Sequence, residues 1–179
     1  MNKKDAIAVF AGGCFWCTEA VFNRLDGVSE VISGYTGGTI KNPAYREICT
    51  GRTGHAEGVK IVYNPTIINY VELLEIFFAT HDPTTLNQQG NDKGTQYRSA
   101  IFYTDDNQKQ LATDFITTLE NQNVFENPIV TEITPLTVFY EAEADHQEYY
   151  DNHQTQPYCQ IMINPKLQKL KHYFADKLK

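Results

Sequence analysis

Two cysteines three residues apart are the side chains in this sequence most able to do chemistry. Cys14 and Cys17 follow an apolar run, Ala6–Ala11, and a pair of glycines. The apolar run is typical of a buried strand, the glycines indicate a sharp turn, and the residues that follow are typical of a helix. Cys14 should therefore lie at or just before a helix N-terminus, where free amides and the helix dipole lower the pKa of a thiol. We predict that Cys14 acts as a nucleophile.

The residues beside Cys14 allow two interpretations each. Cys17 could form a redox pair with Cys14, or it could be a small apolar residue on the inner face of the helix. Phe15 and Trp16, the only tryptophan of the chain, could line an apolar pocket for a substrate's methyl group. They could equally be core aromatics that close the start of the helix.

A carboxylate and several hydroxyl groups could support a nucleophile. Glu57 stands where a strand should begin; in an apolar pocket its pKa would rise and it could donate a proton, whereas a solvated strand end would leave it inert. Tyr35 lies within the glycine-rich segment 34–38, whose flexible backbone could aim its hydroxyl at a ligand, and Tyr97 stands at the entrance to a strand. Because the chain has 11 tyrosines, either one could instead be structural. Asp92 could orient a tyrosine hydroxyl or be an ordinary turn residue.

The two remaining cysteines lie far from this pair in sequence. Cys159 is in a segment that looks irregular, and a mobile loop suits a resolving thiol that must travel to an oxidised partner. Cys49 has no reactive signature, and we predict a buried, inert thiol. Because both are isolated and no histidine pair has ligand spacing, we expect no metal site.

The order of predicted elements places the chain in the α+β class. We predict strands at Ala6–Ala11, Val28–Ser33, Glu57–Tyr63, Arg98–Tyr103 and Ile129–Ile133, and helices after Cys14, after Asn69, over 105–122, over 145–153 and from Pro165. Asn69, with Glu72 three residues later, should cap the second helix, and Asn164 should cap the last one. The first six elements read β-α-β-β-α-β, a ferredoxin-like core, and extra C-terminal helices follow. The long loops 34–57 and 81–96 carry glycines, tyrosines, histidines and acids, and long loops of this kind are usually functional.

The whole chain sets broad limits on function. Its 179 residues suit a single domain, 1–179. A net charge of −7 argues against nucleic-acid binding. The apolar runs are too short to span a bilayer, so we expect no membrane partner. Four cysteines do not make a disulfide scaffold in a chain of this size, and we expect a reduced, cytoplasmic monomer.

Taken together, the motifs resemble the peptide methionine sulfoxide reductase A family. The resemblance rests on four stretches, extended by His146, Gln147, Tyr149 and the pair Tyr158 and Cys159. The stretches are Gly13–Glu19, Gly34–Gly38, Thr53–Glu57 and Gly90–Ser99. In order and spacing they cover essentially the whole chain.

The resemblance implies reduction of the S epimer of methionine sulfoxide, free or in proteins, without metal or organic cofactor. It implies that Cys14 is the nucleophile and Glu57 the acid. Tyr35 and Tyr97 would hold the sulfoxide oxygen with Asp92 in support, and Phe15 and Trp16 would receive the methyl group. A Cys14 sulfenic acid would condense with a second thiol, and thioredoxin, or dithiothreitol in vitro, would reduce the disulfide.

The sequence departs from the common family pattern at Cys17, where many members carry glycine. Cys159 matches the family's C-terminal recycling position and is the favoured resolving thiol; Cys17 could resolve directly, relay, or do neither. Two other functions stay open: a thiol–disulfide oxidoreductase that uses Cys14 and Cys17, and a non-enzymatic module that binds oxidised methionine.

Overall fold

A computed structural model describes residues 4–179 and shows one six-stranded sheet flanked by helices. The strands are β1 (Ala6–Ala11), β2 (Val28–Thr36), β3 (Ala56–Tyr63), β4 (Gln88–Gln89), β5 (Asp92–Lys93), β6 (Ala100–Tyr103), β7 (Glu132–Pro135) and β8 (Phe139–Glu141). The helices are α1 (Phe15–Phe22), α2 (Tyr45–Ile48), α3 (Tyr70–Ala79), α4 (Asp106–Asn121), α5 (Tyr149–Asn152) and α6 (Asn164–Tyr173). Within residues 4–179, no helix is long and apolar enough to cross a bilayer.

The six strands run in the order β7-β6-β1-β3-β2-β8, and β4 pairs with β5 in a separate two-stranded ribbon. Neighbouring strands of the large sheet are antiparallel except for the parallel pair β6 and β7. The α+β class is thus confirmed. The predicted strand 129–133 is displaced: β7 begins at Glu132, where it pairs with Ala100 of β6.

Strand β1 is central because its apolar run can be buried on both faces. Phe10 packs on one face and stacks on Phe77 of α3, with 4.8 Å between ring centroids. Val9 and Ala11 belong to a smaller apolar cluster on the other face. Alternating side chains of a strand point to opposite faces, so a continuous apolar run fits a strand covered on both sides.

Helix α3 begins where its capping signal predicts. The Asn69 side chain accepts a hydrogen bond from the Glu72 amide at 2.8 Å, and the Glu72 carboxylate accepts from the Asn69 amide at 3.2 Å. This reciprocal pair satisfies two amides that the first helical turn leaves free. Leu74, Phe77 and Phe78 are then buried in the core.

The C-terminal third differs from the prediction in three places. The predicted helix 145–153 is broken into a 3-10 turn, Ala144–His146, and α5, because Glu148 between them adopts a left-handed conformation with φ of 51°. Asn164 is the first residue of α6 rather than its cap. A π-helical turn, Cys159–Ile163, leads directly into α6, so Cys159 lies in a helical segment and not in an irregular loop.

Candidate active site

The turn between β1 and α1 places Cys14 at the start of the helix. Cys14 is the N-cap of α1, and its carbonyl accepts a hydrogen bond from the Cys17 amide at 3.0 Å. Gly13 has a φ of +92°, and a Cβ built there would lie 2.6 Å from Cγ of Gln89. Only glycine can adopt this positive φ and leave room for the Gln89 side chain without strain. The predicted position of Cys14 at a helix N-terminus is confirmed.

The two thiols of this turn lie within hydrogen-bonding reach of each other. Cys14 is 8% exposed, and burial raises the pKa of its thiol, with the Cys17 side chain and the nearby Glu57 raising it further. The hydrogen bond from Cys14 lowers the pKa of the Cys17 thiol, against the effect of burial. The prediction that the helix terminus lowers the pKa of Cys14 is therefore wrong, because desolvation outweighs the helix end.

Glu57 is buried directly across the sheet from Tyr35. The two residues are register partners on β3 and β2, and Glu57 is only 1% exposed. Its Oε1 accepts a hydrogen bond from the Phe15 amide at 3.3 Å, whereas its Oε2 has no partner among the described residues. Burial raises the pKa of Glu57 to about 8. The carboxyl is consequently protonated near neutral pH and holds an uncommitted proton.

Three tyrosine hydroxyls lie close enough to Glu57 for its charge to affect their pKa values. Burial raises the pKa of Tyr35, Tyr45 and Tyr97, and the Glu57 carboxylate raises each further. The Tyr35 hydroxyl donates to Oε1 of Glu143 at 2.9 Å. Tyr97 stands at the entrance to β6, as its position in the sequence suggests. Sequence reasoning missed Tyr45, which lies on the short, unpredicted helix α2.

Phe15 and Trp16 pack in different surroundings. Phe15 is fully buried, with its ring centroid 5.6 Å from that of Tyr35. Trp16 is partly exposed and stacks on Tyr149 at 3.7 Å, and its Nε1 donates to Nδ1 of His146 at 3.1 Å. Trp16 thus has a fixed orientation beside Cys14, which suits a pocket wall.

Asp92 orients a tyrosine hydroxyl, but the tyrosine is Tyr158. The Tyr158 hydroxyl donates to Oδ2 of Asp92 at 2.7 Å and lies 3.8 Å from the Sγ atom of Cys17. Its ring meets Trp16 edge-on at 5.8 Å. Tyr158 precedes Cys159, so this network joins the C-x-x-C turn to the segment that carries the favoured resolving thiol. The sequence signal for it was the Tyr158 and Cys159 pair.

The two isolated cysteines have opposite environments. Cys159 is completely buried, and burial and the charge of Cys17 raise the pKa of its thiol. Cys49 is exposed, which contradicts the prediction of a buried thiol. It follows Ile48, the only buried residue of α2, and caps the end of that helix towards solvent.

Most predicted site residues therefore meet around the start of α1. Cys14, Cys17, Glu57, Tyr35, Tyr97, Phe15 and Trp16 gather there; Asp92 and Cys159 reach the site through Tyr158 and Cys17. Glu143, His146 and Tyr45, to which the sequence assigns no role, also lie at the site. Across residues 4–179, no group of three or more histidine, cysteine or acidic side chains could hold a metal ion.

Comparisons with known proteins agree with this geometry. The family model described as "Peptide methionine sulfoxide reductase" matches residues 6–178. Two curated relatives are named peptide methionine sulfoxide reductase MsrA. The protein of Trichodesmium erythraeum is 56% identical over 95% of this chain and 96% of its own; that of Deinococcus radiodurans is 55% identical over 96% and 84%.

Solved structures give the same result. Mxr1 from Saccharomyces cerevisiae in reduced form superposes with a TM-score of 0.81, at 35% identity over 89% of this chain and 91% of that one. Mxr1 in complex with Trx2 matches with a TM-score of 0.57, at 27% identity over 83% and 87%. The chain belongs to the peptide methionine sulfoxide reductase family of oxidoreductases.

Proposed function

We propose that this protein reduces the S epimer of methionine sulfoxide, free and in oxidised proteins, and so repairs oxidative damage. The observation that carries the proposal is the buried, protonated Glu57, whose Oε2 has no partner among residues 4–179, beside the thiol of Cys14. A thiol that attacks a sulfoxide needs a proton on the departing oxygen, because oxide is a poor leaving group. A carboxyl that stays protonated at neutral pH supplies it.

In the first step, oxygen passes from the substrate to Cys14. The Cys14 thiol gives its proton to the Cys17 thiolate as its Sγ attacks, and Glu57 gives its proton to the sulfoxide oxygen. The substrate's S–O bond breaks and an Sγ–O bond forms. The products are methionine, a Cys14 sulfenic acid, a Cys17 thiol and a Glu57 carboxylate. Sulfur in the substrate is reduced, Cys14 is oxidised by the same two electrons, and the net charge is unchanged.

The pocket residues determine which sulfoxide can react. We propose that Phe15 and Trp16 receive the substrate's methyl group, supported by the burial of Phe15 and by the fixed orientation of Trp16. Tyr35 and Tyr97 would hold the oxygen next to Glu57, and Asp92 supports the site through Tyr158. With methyl, oxygen and attacking sulfur each assigned a place, only one configuration at the substrate's sulfur fits.

We propose that the oxidised Cys14 is resolved by way of Cys17 and then Cys159. Cys17 is the thiol within reach of Cys14, and Cys159 is close enough to Cys17 for the charge of Cys17 to raise its pKa. Cys17 condenses with the sulfenic acid and water leaves. Cys159 then attacks Sγ of Cys17, which frees the Cys14 thiol. The resulting disulfide joins Cys17 to Cys159, the residue that follows Tyr158.

An external dithiol would complete the cycle. We propose thioredoxin, and the complex of the relative Mxr1 with Trx2 supports this partner; dithiothreitol would replace it in vitro.

We propose that no metal or organic cofactor takes part. A monomer in the reduced cytoplasm fits the four free thiols of the structure. We also propose that residues 1–179 form one domain on a ferredoxin-like core, supported by the order β6-β1-β3-β2 in the sheet.

One assay tests the reaction class. Each epimer of methionine sulfoxide, free and in a peptide, is incubated with the protein and dithiothreitol, and methionine is quantified. We expect reduction of the S epimer alone. Turnover of disulfides without sulfoxide reduction would instead indicate a thiol–disulfide oxidoreductase, and saturable binding without turnover would indicate a binding module.

A second assay tests the relay by mapping disulfides after one equivalent of substrate. We expect a Cys17–Cys159 disulfide in the wild type, a Cys14–Cys17 disulfide in Cys159→Ser, and slow resolution in Cys17→Ser. Cys49→Ser is the matched control and should match the wild type. The relay would be refuted if Cys17→Ser formed a Cys14–Cys159 disulfide as fast as the wild type forms its Cys17–Cys159 disulfide.

A further inference from the structure

The direction of the Tyr35 hydrogen bond restricts what its hydroxyl can do in the site. The Tyr35 Oη lies 2.9 Å from Oε1 of Glu143. An ionised carboxylate can only accept, so the single hydroxyl proton of Tyr35 must point at Glu143. The oxygen of Tyr35 retains lone pairs on its other side, and Glu57, its register partner on β3, lies on the same face of the sheet.

Glu143 is held in its ionised form by two donors. Its Oε2 accepts a hydrogen bond from the Tyr45 amide at 3.0 Å, in addition to the Tyr35 hydroxyl at Oε1. Partial burial raises the pKa of Glu143, but the bonds from the Tyr45 amide, from its own amide and from Tyr35 lower it below its ordinary value. Glu143 therefore remains an acceptor across the neutral range.

The segment that carries Glu143 is fixed to the sheet by a second set of bonds. The Gln147 side chain accepts from the Ser33 amide at 2.9 Å and donates to the carbonyls of Ser33 and Ala142 at 2.9 and 3.0 Å. The buried Glu19 accepts from the Glu148 amide and from the Ser33 hydroxyl, each at 2.6 Å. Glu143 is thus held on a rigid segment although its own side chain is exposed.

We propose that Glu143 is a positioning residue that makes Tyr35 a hydrogen-bond acceptor, not a donor, towards the reacting oxygen. This inference rests on the proposed function. The two tyrosine hydroxyls then have different roles. The Tyr97 hydroxyl, which has no partner within residues 4–179, donates a hydrogen bond to the sulfoxide oxygen. Tyr35 accepts a hydrogen bond from the same oxygen after Glu57 has protonated it. The S–OH group formed on Cys14 then donates its proton to Tyr35 Oη.

The variant Glu143→Gln reverses the hydroxyl of Tyr35. The Tyr45 amide still needs an acceptor, so the glutamine carbonyl must face it and the glutamine NH₂ must face Tyr35. Tyr35 then accepts from the glutamine, and its own proton turns towards the pocket. Glu47→Gln is the matched control, because Glu47 accepts from the Ala44 amide at the start of the same helix, α2, and does not contact Tyr35.

The test is a double-mutant cycle on sulfoxide reduction with dithiothreitol. We expect Glu143→Gln to lower kcat about tenfold with KM nearly unchanged, since the bond it removes forms only as the oxygen is protonated. In a Tyr35→Phe background the same substitution should have no further effect. Glu47→Gln should match the wild type in both backgrounds. Thermal unfolding of every variant separates a loss of positioning from a loss of fold.

The outcomes distinguish this inference from the proposed function. An equal loss from Glu143→Gln with and without the Tyr35 hydroxyl would show that Glu143 acts elsewhere and would overturn the inference, as would an unchanged kcat. If Glu143→Gln unfolds, Glu143→Ala is placed in the same cycle and judged by the same criterion. A wild type that reduces neither epimer would refute the proposed function instead.

Discussion

The backbone amide of Phe15 donates a hydrogen bond to the Glu57 carboxyl group at 3.3 Å. The residue that follows the proposed nucleophile is thereby tied to the proposed acid, although 42 positions separate them in sequence. The bond fixes Oε1 and leaves Oε2 as the free oxygen. The distance between acid and nucleophile is set by the β1–α1 turn and strand β3, and not by flexible side chains.

The activity should depend on the protonation of Glu57. Because its pKa is about 8, the carboxyl loses its proton as the pH rises past that value, and kcat should fall on this alkaline limb. Glu57→Gln removes the proton donor and should lower kcat by about 100-fold or more while abolishing the limb. The measurement is the pH profile of S-epimer reduction for both proteins. An identical alkaline limb in the variant would show that another group titrates.

The same shift predicts a cost in stability. In the unfolded chain Glu57 ionises near 4.5, but in the fold it ionises near 8. A raised folded pKa means that the group's favourable contribution is complete below about pH 4.5 and is lost as the pH rises to about 8. Each unit of difference corresponds to about 1.4 kcal/mol. Glu57→Gln should therefore gain stability over the wild type from about pH 5 to pH 8 in chemical unfolding.

A residue with the opposite shift provides the control for this measurement. The hydrogen bond from Lys177 lowers the pKa of Glu72. The stabilising contribution of Glu72 is complete above its pKa in the unfolded chain and is lost as the pH falls through its lower pKa in the fold. As the pH rises between these two pKa values, Glu72→Gln should therefore lose stability relative to the wild type. If both variants change in the same direction with pH, the assignment of the Glu57 shift to burial is wrong.

The turn before Cys14 should tolerate no side chain at Gly13. An added Cβ meets Gln89 at 2.6 Å and the φ is +92°, so Gly13→Ala combines a clash with a strained backbone and should cost about 2–4 kcal/mol in urea unfolding. Gly51→Ala has a φ of +72° but its nearest atom is 3.4 Å away, and it should cost about 1 kcal/mol. Equal losses would mean that the contact with Gln89 has no energetic weight.

Thiol reactivity should separate Cys49 from the other three cysteines. Cys49 is exposed, and Cys14, Cys17 and Cys159 are buried. Alkylation of the reduced protein, followed by peptide mass spectrometry, should label Cys49 first. Early labelling of Cys159 would show that the segment around Tyr158 opens readily. Cys49→Ser should keep full dithiothreitol-driven activity.

The sequence revealed the features that depend on local pattern. The apolar run of β1, the glycine turn and the Asn69–Glu72 capping pair each occupy a few adjacent residues, so their structures follow from short-range rules. Cys14 could be singled out because it directly follows a turn, and Glu57 because it lies at the start of a strand. These predictions needed no knowledge of what packs against them.

Features that depend on distant contacts could not be predicted. The raised pKa of Cys14 results first from burial under other elements, which the sequence does not reveal, and the nearby Cys17 adds to it. The exposure of Cys49 follows from which side of α2 meets the core. The Tyr158–Asp92 and Tyr35–Glu143 bonds join residues 66 and 108 positions apart, where residue type alone does not identify the partner.

The most direct test of the account follows the sulfoxide oxygen itself. The double variant Cys17→Ser, Cys159→Ser is treated with one equivalent of methionine S-sulfoxide that carries isotopically labelled oxygen. The oxygen is then located by mass spectrometry of the peptide that contains Cys14. We predict one equivalent of methionine and one labelled oxygen on Cys14, formed more slowly than in the wild type because Cys17 no longer accepts the Cys14 proton, with neither product in Cys14→Ser. Methionine formed without labelled oxygen on Cys14, or formed equally by Cys14→Ser, would contradict the account.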